Sequence, residues 1–391
     1  MKGQLPLKVA KTLAGILLVT QLAGCAATSL FDGWFGGSDN SAKPAALVTF
    51  QSSANLKQIW RESTGKAGDY VFTPALMKGY VYAAGNDGYI ASYDAESGKQ
   101  KWRIDSGKKL SAGVGAGDGL VIVGTSKGEV LAFDAEGKSL WQSQVSSELL
   151  SAPQSEDGIV VVRTGDGRIF GLNAQDGKRK WVYQRATPVL TVRSNAGVVV
   201  SRGAVFAGFA GGKLVAFSLS TGNVGWEATV ALPRGATELD RIADITSLPV
   251  LGGREVCAVA YQGRVACFDV QSGNAIWSRD ISSIAGMTLD QRYVYVSDDK
   301  GSVIALDKAT GSSAWKQDKL FARRISAPIV QRGYVAVADL EGYVHLLSRE
   351  DGAFAARLAT DGSPVRAQPL PLDSGFLVQT RNGGLYALTA Q

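Results

Sequence analysis

The chain has 391 residues, a length that could hold two or three domains, and a formal charge of +6. Its 47 glycines recur at turns along the chain, which excludes a low-complexity tract. There is no run of five or more Lys and Arg residues, so the sequence gives little support to nucleic-acid binding.

The N-terminal residues have the features of a secretion signal. Three lysines precede an apolar run over residues 12–20, which is too short to span a bilayer core about 30 Å thick. The tetrapeptide at 22–25 resembles the bacterial lipobox, which implies cleavage before Cys25 and lipid attachment to Cys25. An ordinary signal peptide with an incidental cysteine is the alternative. We predict a signal peptide over residues 1–24 and a mature formal charge of +3.

A flexible tether is predicted to follow the lipidated cysteine, over residues 25–53, because this stretch is rich in Gly, Ser, Ala and Asp. Ala26 stands directly after Cys25 in place of an Asp, which resembles the pattern of lipoproteins sorted to the outer membrane. Trp34 and Phe35 either touch lipid or a partner, or are stray exposed aromatic side chains.

One sequence unit recurs eight times after the tether. Its first copy, Asp87–Trp102, reads as a polar-Gly turn, an apolar alternation, a second turn and a tryptophan strand. The glycines that open the eight copies lie 40, 39, 45, 51, 38, 41 and 41 residues apart. A period near 40 residues with several short strands matches a propeller blade of four antiparallel strands. We therefore predict an all-β fold, an eight-bladed β-propeller that fills residues 54–391 as one domain.

The first blade can be written out strand by strand. The predicted order, from the inner strand to the outer one, is Val71–Ala75, Tyr80–Ala84, Tyr89–Tyr93 and Gln100–Arg103. Gly88 suits a three-residue hairpin loop that ends with positive φ. The large apolar face of Trp102 is expected to pack between neighbouring blades.

The two ends of the repeat are complementary. The last copy stops at Gln391 without a tryptophan strand, whereas Leu56–Trp60 is a tryptophan strand with no blade before it. We predict that the strand around Trp60 completes the last blade, so that the ring closes without an open edge.

The residues give no sign of catalysis. His345 lies among apolar strand residues, and no His, Cys and acid cluster has metal-ligand spacing. No nucleophile elbow or phosphate-binding loop is present. Cys257 and Cys267 are expected to face each other in the fifth blade, either as a cross-strand disulfide or as two buried thiols.

The repeat resembles that of quinoprotein-type propellers, in which Ala-Leu-Asp-x-x-Thr-Gly-x-x-x-Trp marks each blade. Residues Ala305–Trp315 match that pattern in full. Enzymes of that class hold pyrroloquinoline quinone with two adjacent cysteines and a calcium ion, and this chain has no adjacent cysteines. We therefore expect the shared scaffold without a cofactor. A periplasmic quinoprotein-type dehydrogenase is the alternative function, and a glycan-binding propeller is a third.

Two spacings exceed the period, and both excesses fall between an outer strand and the next inner strand. These insertions cover residues 188–194 and 230–245, so they are expected to emerge on the same rim of neighbouring blades. Loops on one face of a rigid scaffold are a usual place for binding. Plain long loops are the alternative.

The whole chain also resembles the BamB family, the propeller lipoproteins of the outer-membrane β-barrel assembly machinery. The most specific segments are Pro188–Arg193 and Thr237–Asp244. The resemblance implies a non-enzymatic scaffold, anchored by lipid on Cys25 in the inner leaflet of the outer membrane and facing the periplasm. It implies that these segments dock onto the periplasmic domains of BamA, with unfolded outer-membrane proteins as a further hypothetical partner. The contact candidates it implies are Leu190, Val192, Arg193, Asp240, Arg241 and Asp244.

Overall fold

Residues 42–391, which the computed structural model describes, contain 32 strands in eight four-stranded antiparallel sheets. The predicted signal peptide, Cys25, Trp34 and Phe35 lie outside the described residues. No helix in the described part of the chain is long and apolar enough to cross a membrane. The prediction of an all-β, eight-bladed propeller is confirmed.

Each blade takes its strands in chain order from the inside of the ring to the outside. Blade 1 consists of β2 (Ala75–Met77), β3 (Tyr80–Ala84), β4 (Tyr89–Asp94) and β5 (Gln100–Asp105). Blades 2 and 3 consist of β6 (Gly115–Gly117), β7 (Leu120–Gly124), β8 (Glu129–Asp134), β9 (Ser139–Gln144), β10 (Gln154–Glu156), β11 (Ile159–Arg163), β12 (Ile169–Asn173) and β13 (Arg179–Tyr183). Blades 4 and 5 consist of β14 (Val198–Ser201), β15 (Ala204–Phe209), β16 (Lys213–Ser218), β17 (Val224–Thr229), β18 (Val250–Leu251), β19 (Glu255–Val259), β20 (Val265–Asp269) and β21 (Ala275–Arg279).

The remaining blades follow the same order. Blades 6 and 7 consist of β22 (Gly286–Leu289), β23 (Tyr293–Ser297), β24 (Val303–Asp307), β25 (Ser313–Gln317), β26 (Ile329–Gln331), β27 (Tyr334–Ala338), β28 (Tyr343–Ser348) and β29 (Phe354–Ala359). Blade 8 combines both ends of the described chain: β30 (Leu370–Leu372), β31 (Gly375–Gln379), β32 (Gly384–Ala390) and, outermost, β1 (Leu56–Ser63).

The predicted strands of blade 1 are found with one shift. Gly88 closes the hairpin between β3 and β4 with a φ of 104°, as the sequence predicts. The inner strand, however, begins at Ala75, where the prediction placed it over Val71–Ala75. Pro74 has no N–H for the ladder, and the carbonyl of Thr73 accepts instead from Val114 N in the next blade, at 2.9 Å.

Seven tryptophans connect every blade except blade 7 to the blade that follows it. Each indole N–H donates to a backbone carbonyl in the turn between the third and fourth strands of the following blade, as Trp102 does to Ala135 O at 2.8 Å. The glycine of that turn lies against the indole face. At Gly311 (φ 70°) an added Cβ would lie 2.6 Å from Trp277, so the glycine that recurs in this turn leaves room for the ring.

The ring closes through the N-terminal strand, as predicted. β1 pairs antiparallel with β32 from Leu56↔Ala390 to Ser63↔Gly384. Trp60 is buried, and its indole N–H donates to Ala95 O in blade 1 at 2.9 Å. Blade 8 therefore joins the two chain ends in one hydrogen-bonded sheet.

Blade 7 lacks a tryptophan for a structural reason. Ala356 pairs with Leu346 at the ladder position where Trp315 pairs with Ala305 in blade 6. In blade 8 the fourth strand is β1 and does not follow the third strand in the chain, so no turn with a glycine joins the two for an indole to pack against. A tryptophan on β29 would have no such partner.

A segment that precedes β1 covers this seam instead, and we call residues 44–55 the strap. Ser53 N and Ala54 N both donate to Ala355 O, at 3.0 and 3.2 Å. Phe50 stacks on Phe354 with ring centroids 5.4 Å apart, and Arg357 donates to Val48 O at 3.1 Å. This part of the predicted tether therefore packs along the outer strand of blade 7.

The cysteines of blade 5 are bonded. Cys257 and Cys267 face each other in the ladder between β19 and β20 and form a disulfide, and both are fully buried. This is the facing position that the sequence predicts for the two cysteines. Disulfides form and persist in oxidising compartments such as the periplasm.

Candidate functional site

Two long connections lie on one face of the ring. The first loop (residues 184–197) joins β13 to β14, and the second loop (residues 230–249) joins β17 to β18. In a sequential antiparallel blade, outer-to-inner connections emerge on the same side as the hairpins between the second and third strands. We call that side the loop face. The topology therefore places the two insertions on one rim, as the sequence predicts.

The first loop presents apolar side chains to solvent. Val189 is 96% exposed and Leu190 is 42% exposed, next to Pro188, which restricts the backbone. Val192 is partly buried. Arg193 forms an ion pair with Glu148 at 2.8 Å, although 62% of its side chain remains accessible. The loop therefore offers exposed aliphatic groups beside a largely accessible guanidinium.

Asp244 joins the two loops from below. It is only 4% exposed, and its carboxylate accepts from Val192 N at 2.7 Å and from Gly211 N at 3.0 Å. A carboxylate that accepts two backbone N–H groups is a strong anchor for the segments that carry them. The structure thus places Asp244 beneath the first loop, where it fixes Val192, and not on the accessible surface.

Asp240 and Arg241 lie on the exposed part of the second loop. The Asp240 carboxylate accepts from the Thr237 hydroxyl at 2.7 Å and from Thr237 N at 3.1 Å, and these bonds lower the pKa of Asp240. Arg241 donates to Gly235 O at 3.2 Å and lies 3.6 Å from Glu238. The two side chains close a turn of their own loop and are both exposed to solvent.

Three further aliphatic side chains belong to this surface and were not among the predicted contacts. Val189, Leu232 and Leu239 are 96%, 61% and 66% exposed, which is unusual for large apolar residues in one neighbourhood. The sequence signal was available: each is an aliphatic residue beside proline or charged residues in a segment that lengthens the repeat. The loop surface is therefore more apolar than the predicted contacts suggested.

A small cavity of about 230 Å³ lies beneath the first loop and is shared by blades 3 and 4. Arg163 lines it, with its guanidinium 5.2 Å from the centre of the Phe209 ring and 3.5 Å from Gly197 O. Burial lowers the pKa of Arg163 to about 10, and the negative charge of Asp244 opposes that shift. Asp244 is thus also the carboxylate whose charge favours a partly buried cation under the loop.

The single histidine has a structural position beneath the strap. His345 is fully buried, with Nε2 2.8 Å from Asp339 Oδ2, and Arg357 Nε donates to Nδ1 at 3.2 Å. Burial lowers the pKa of His345, which favours the neutral ring with its proton on Nε2. Asp339 also accepts from Arg323 at 2.7 Å, and Arg323 donates to Ala45 O in the strap at 2.9 Å.

The cysteines do not fit the quinone site of quinoprotein enzymes. That site uses adjacent cysteines, whereas Cys257 and Cys267 are bonded across two strands inside blade 5. Within residues 42–391, no group of three or more His, Cys, Asp or Glu side chains is arranged to hold a metal ion.

Comparison with known proteins identifies relatives along nearly the whole chain. A family model described as outer membrane protein assembly factor BamB matches residues 86–317. The outer membrane protein assembly factor BamB of Nitrosomonas eutropha is 47% identical over 382 residues, covering 96% of this chain and 93% of the relative.

Solved structures agree with the fold. The crystal structure of BamB from Moraxella catarrhalis superposes with a TM-score of 0.79 at 27% identity, covering 86% of this chain and 100% of that one. The quinohemoprotein alcohol dehydrogenase of Comamonas testosteroni has a TM-score of 0.68 at 14% identity, covering 85% of this chain and 76% of the enzyme. At that identity the likeness extends to the fold alone.

Proposed function

This chain belongs to the BamB family of outer membrane protein assembly factors, and on that premise we propose that it is a non-enzymatic scaffold that docks onto the periplasmic domains of BamA. The observation that carries the proposal is the surface formed by the first and second loops, which we call the paired-loop surface. It presents exposed aliphatic side chains and accessible charges, and the buried carboxylate of Asp244 holds the first loop in place. Assistance in folding and inserting outer-membrane proteins would follow from holding that complex together.

The binding energy is expected to come from the aliphatic side chains. Leu190 and Val189 would enter apolar depressions on the partner, and Leu239 would extend the contact from the second loop. A few such anchors dominate most protein interfaces, while surrounding charges set orientation. The two loops must keep a fixed spacing for this, which the contacts of Asp244 provide.

Arg193 is proposed to pair with a carboxylate of BamA. Its present partner is Glu148, and the pair is largely exposed. Exposed ion pairs contribute little to stability, about 0–1 kcal/mol, so exchanging Glu148 for a partner carboxylate costs little. Asp240 and Arg241 lie at the edge of the surface, where they would contribute mainly to association rate and orientation.

Anchoring is proposed to come from lipid on Cys25, which would hold the propeller at the periplasmic face of the outer membrane. From Cys25 to the start of the strap at Pro44 there are 18 intervening residues, rich in Gly, Ser and Ala. A chain of that length and composition would leave the ring free to reach a membrane-bound partner. Mass spectrometry of the membrane-extracted protein tests the lipid directly.

The docking surface is tested by Leu190→Ala combined with Arg193→Ala. Loss of two interface anchors is expected to weaken binding to purified BamA periplasmic domains by about a hundredfold or more, with the fold unchanged by circular dichroism. A matched control is Leu140→Ala with Arg179→Ala, which removes an exposed leucine and an exposed arginine from outer strands. Equal affinity of the double variant and the wild type would exclude this surface.

A further inference from the structure

A second concave site lies at the centre of the loop face. It has a volume of about 480 Å³, in the range typical of ligand pockets. Its walls come from six of the outer-to-inner connections around the ring, at residues 69–73, 192–195, 246–248, 284–285, 324–326 and 365–368. The cavity is therefore made by convergence of the blades and belongs to no single loop.

Most of the exposed wall surface is apolar, although the lining residues also include polar and charged ones. Leu248, Ile325 and Val365 line it, together with Val71 and Ile284, and Ile284 is 50% exposed. Apolar walls with a small number of polar groups are characteristic of binding pockets. A ligand that fits must therefore bring apolar groups of its own.

The acidic groups that line the cavity all have partners within the protein. Asp69 pairs with Arg381 at 3.2 Å, and the Asp298 carboxylate accepts from backbone N–H groups of its own turn. Asp299 accepts from the Ser282 hydroxyl and from a backbone N–H. Each of these carboxylates is therefore at least partly engaged by a partner inside the protein.

The basic groups differ. Arg193 is paired with Glu148, but Arg324 and Arg366 are exposed at the cavity and form no ion pair or side-chain hydrogen bond with residues 42–391. An uncommitted guanidinium offers up to five N–H donors in a planar fork that matches a carboxylate. The cavity thus combines apolar walls with two anion-binding groups that have no protein partner in the described chain.

We propose that this central cavity binds an extended acidic polypeptide segment, with apolar side chains against the wall and carboxylates on Arg324 and Arg366. The choice of a polypeptide, as opposed to a small organic acid, rests on the proposed docking function. Val192 and Arg193 belong to the first loop and also line this cavity, so the two sites adjoin. A partner held at the loops would have its chain within reach of the cavity.

The test uses fluorescein-labelled octapeptides and fluorescence anisotropy with the full mature chain. One peptide alternates Leu and Asp, the second alternates Leu and Lys, and the third alternates Gly and Asp. The first is expected to bind, and the other two at least about tenfold more weakly, because each lacks one of the two required groups. Equal binding of the lysine peptide, or no binding of the first peptide, overturns the proposal.

The matched variants are Arg324→Gln with Arg366→Gln against the control Arg202→Gln. Arg202 is also an exposed arginine with positive φ (53°, against 47° at Arg324), but it lies in the turn between β14 and β15, on the opposite face. The double variant is expected to bind the Leu-Asp peptide about tenfold more weakly, and Arg202→Gln to bind it like the wild type. Equal loss in both, or in neither, contradicts the assignment.

Two further measurements distinguish a polypeptide ligand from a small acid, and the cavity proposal from the docking proposal. Displacement of the peptide by citrate at equal concentration would indicate a small-acid site and refute the polypeptide assignment. Leu190→Ala is outside the cavity and is expected to keep peptide binding while weakening BamA binding. Loss of peptide binding with BamA binding retained would refute the cavity proposal alone. Loss of BamA binding with peptide binding retained would leave the cavity proposal intact.

Discussion

Asp244→Asn tests whether the paired-loop surface is held by a buried anchor. The carboxylate now accepts from Val192 N and Gly211 N. An asparagine keeps one acceptor oxygen but turns an NH2 group toward the other N–H, which leaves two donors facing each other. The substitution also removes the negative charge that favours the partly buried Arg163. The protein remains a propeller, because neither loop belongs to a blade.

The magnitude follows from the lost hydrogen bond. Hydrogen bonds to charged groups contribute about 1.5–3 kcal/mol, so we expect about 2 kcal/mol less local stability for the first loop. Where reclosing is faster than chemical exchange, so that the opening equilibrium sets the rate, that corresponds to roughly thirtyfold faster exchange of the Val192 amide. Because a partner must then order the loop on binding, the affinity for BamA domains falls as well.

Hydrogen–deuterium exchange resolved by mass spectrometry measures this directly. Peptides that cover residues 188–194 should lose protection, whereas peptides from the blade strands should not. Asp240→Asn is the control, because the Asp240 carboxylate caps Thr237 on the second loop and does not contact the first loop. Unchanged protection of residues 188–194 in Asp244→Asn would refute the anchoring role.

Two further predictions concern the strap and the cluster beneath it. Phe50→Ala removes the stack on Phe354 and should lower the free energy of unfolding, measured in a urea titration, by about 1–3 kcal/mol. The control Leu140→Ala, at an exposed site, should change the same free energy by less than about 0.5 kcal/mol. Equal effects would mean that the strap does not stabilise the seam. The second prediction is a pH dependence of the same free energy. Burial lowers the pKa of His345, so the folded state binds fewer protons than the unfolded state, and stability should fall as the pH drops below the ordinary histidine value near 6.5. Asp339 acts in the same direction at lower pH: burial opposes its ionisation, but the hydrogen bonds from His345, Tyr343 N and Arg323 and the attraction of His345 together outweigh burial and lower the pKa of Asp339. His345→Gln should flatten the loss between about pH 7 and 5, and an unchanged slope would contradict this assignment.

The sequence determined the architecture because a propeller is a sum of similar local units. The turn glycines, the apolar alternation and the tryptophans recur with each blade, so their spacing was enough for the number of blades and for the closing role of Trp60. It also placed both long loops on one rim, since alternating strand direction fixes where each connection emerges. The ladder position of Cys257 against Cys267 followed from the hairpin in the same way.

The tertiary structure decided what depends on distant parts of the chain. Asp244 is 52 residues from Val192, and only folding shows that it lies beneath the first loop as an anchor. The strap covers the seam where blade 7 lacks a tryptophan because residues 44–55 and the last strand of the repeat meet there, which no local pattern records. The central cavity exists because six connections converge on one axis. Local geometry is repeated in the sequence, whereas burial and the pairing of charges arise only when separate blades come together.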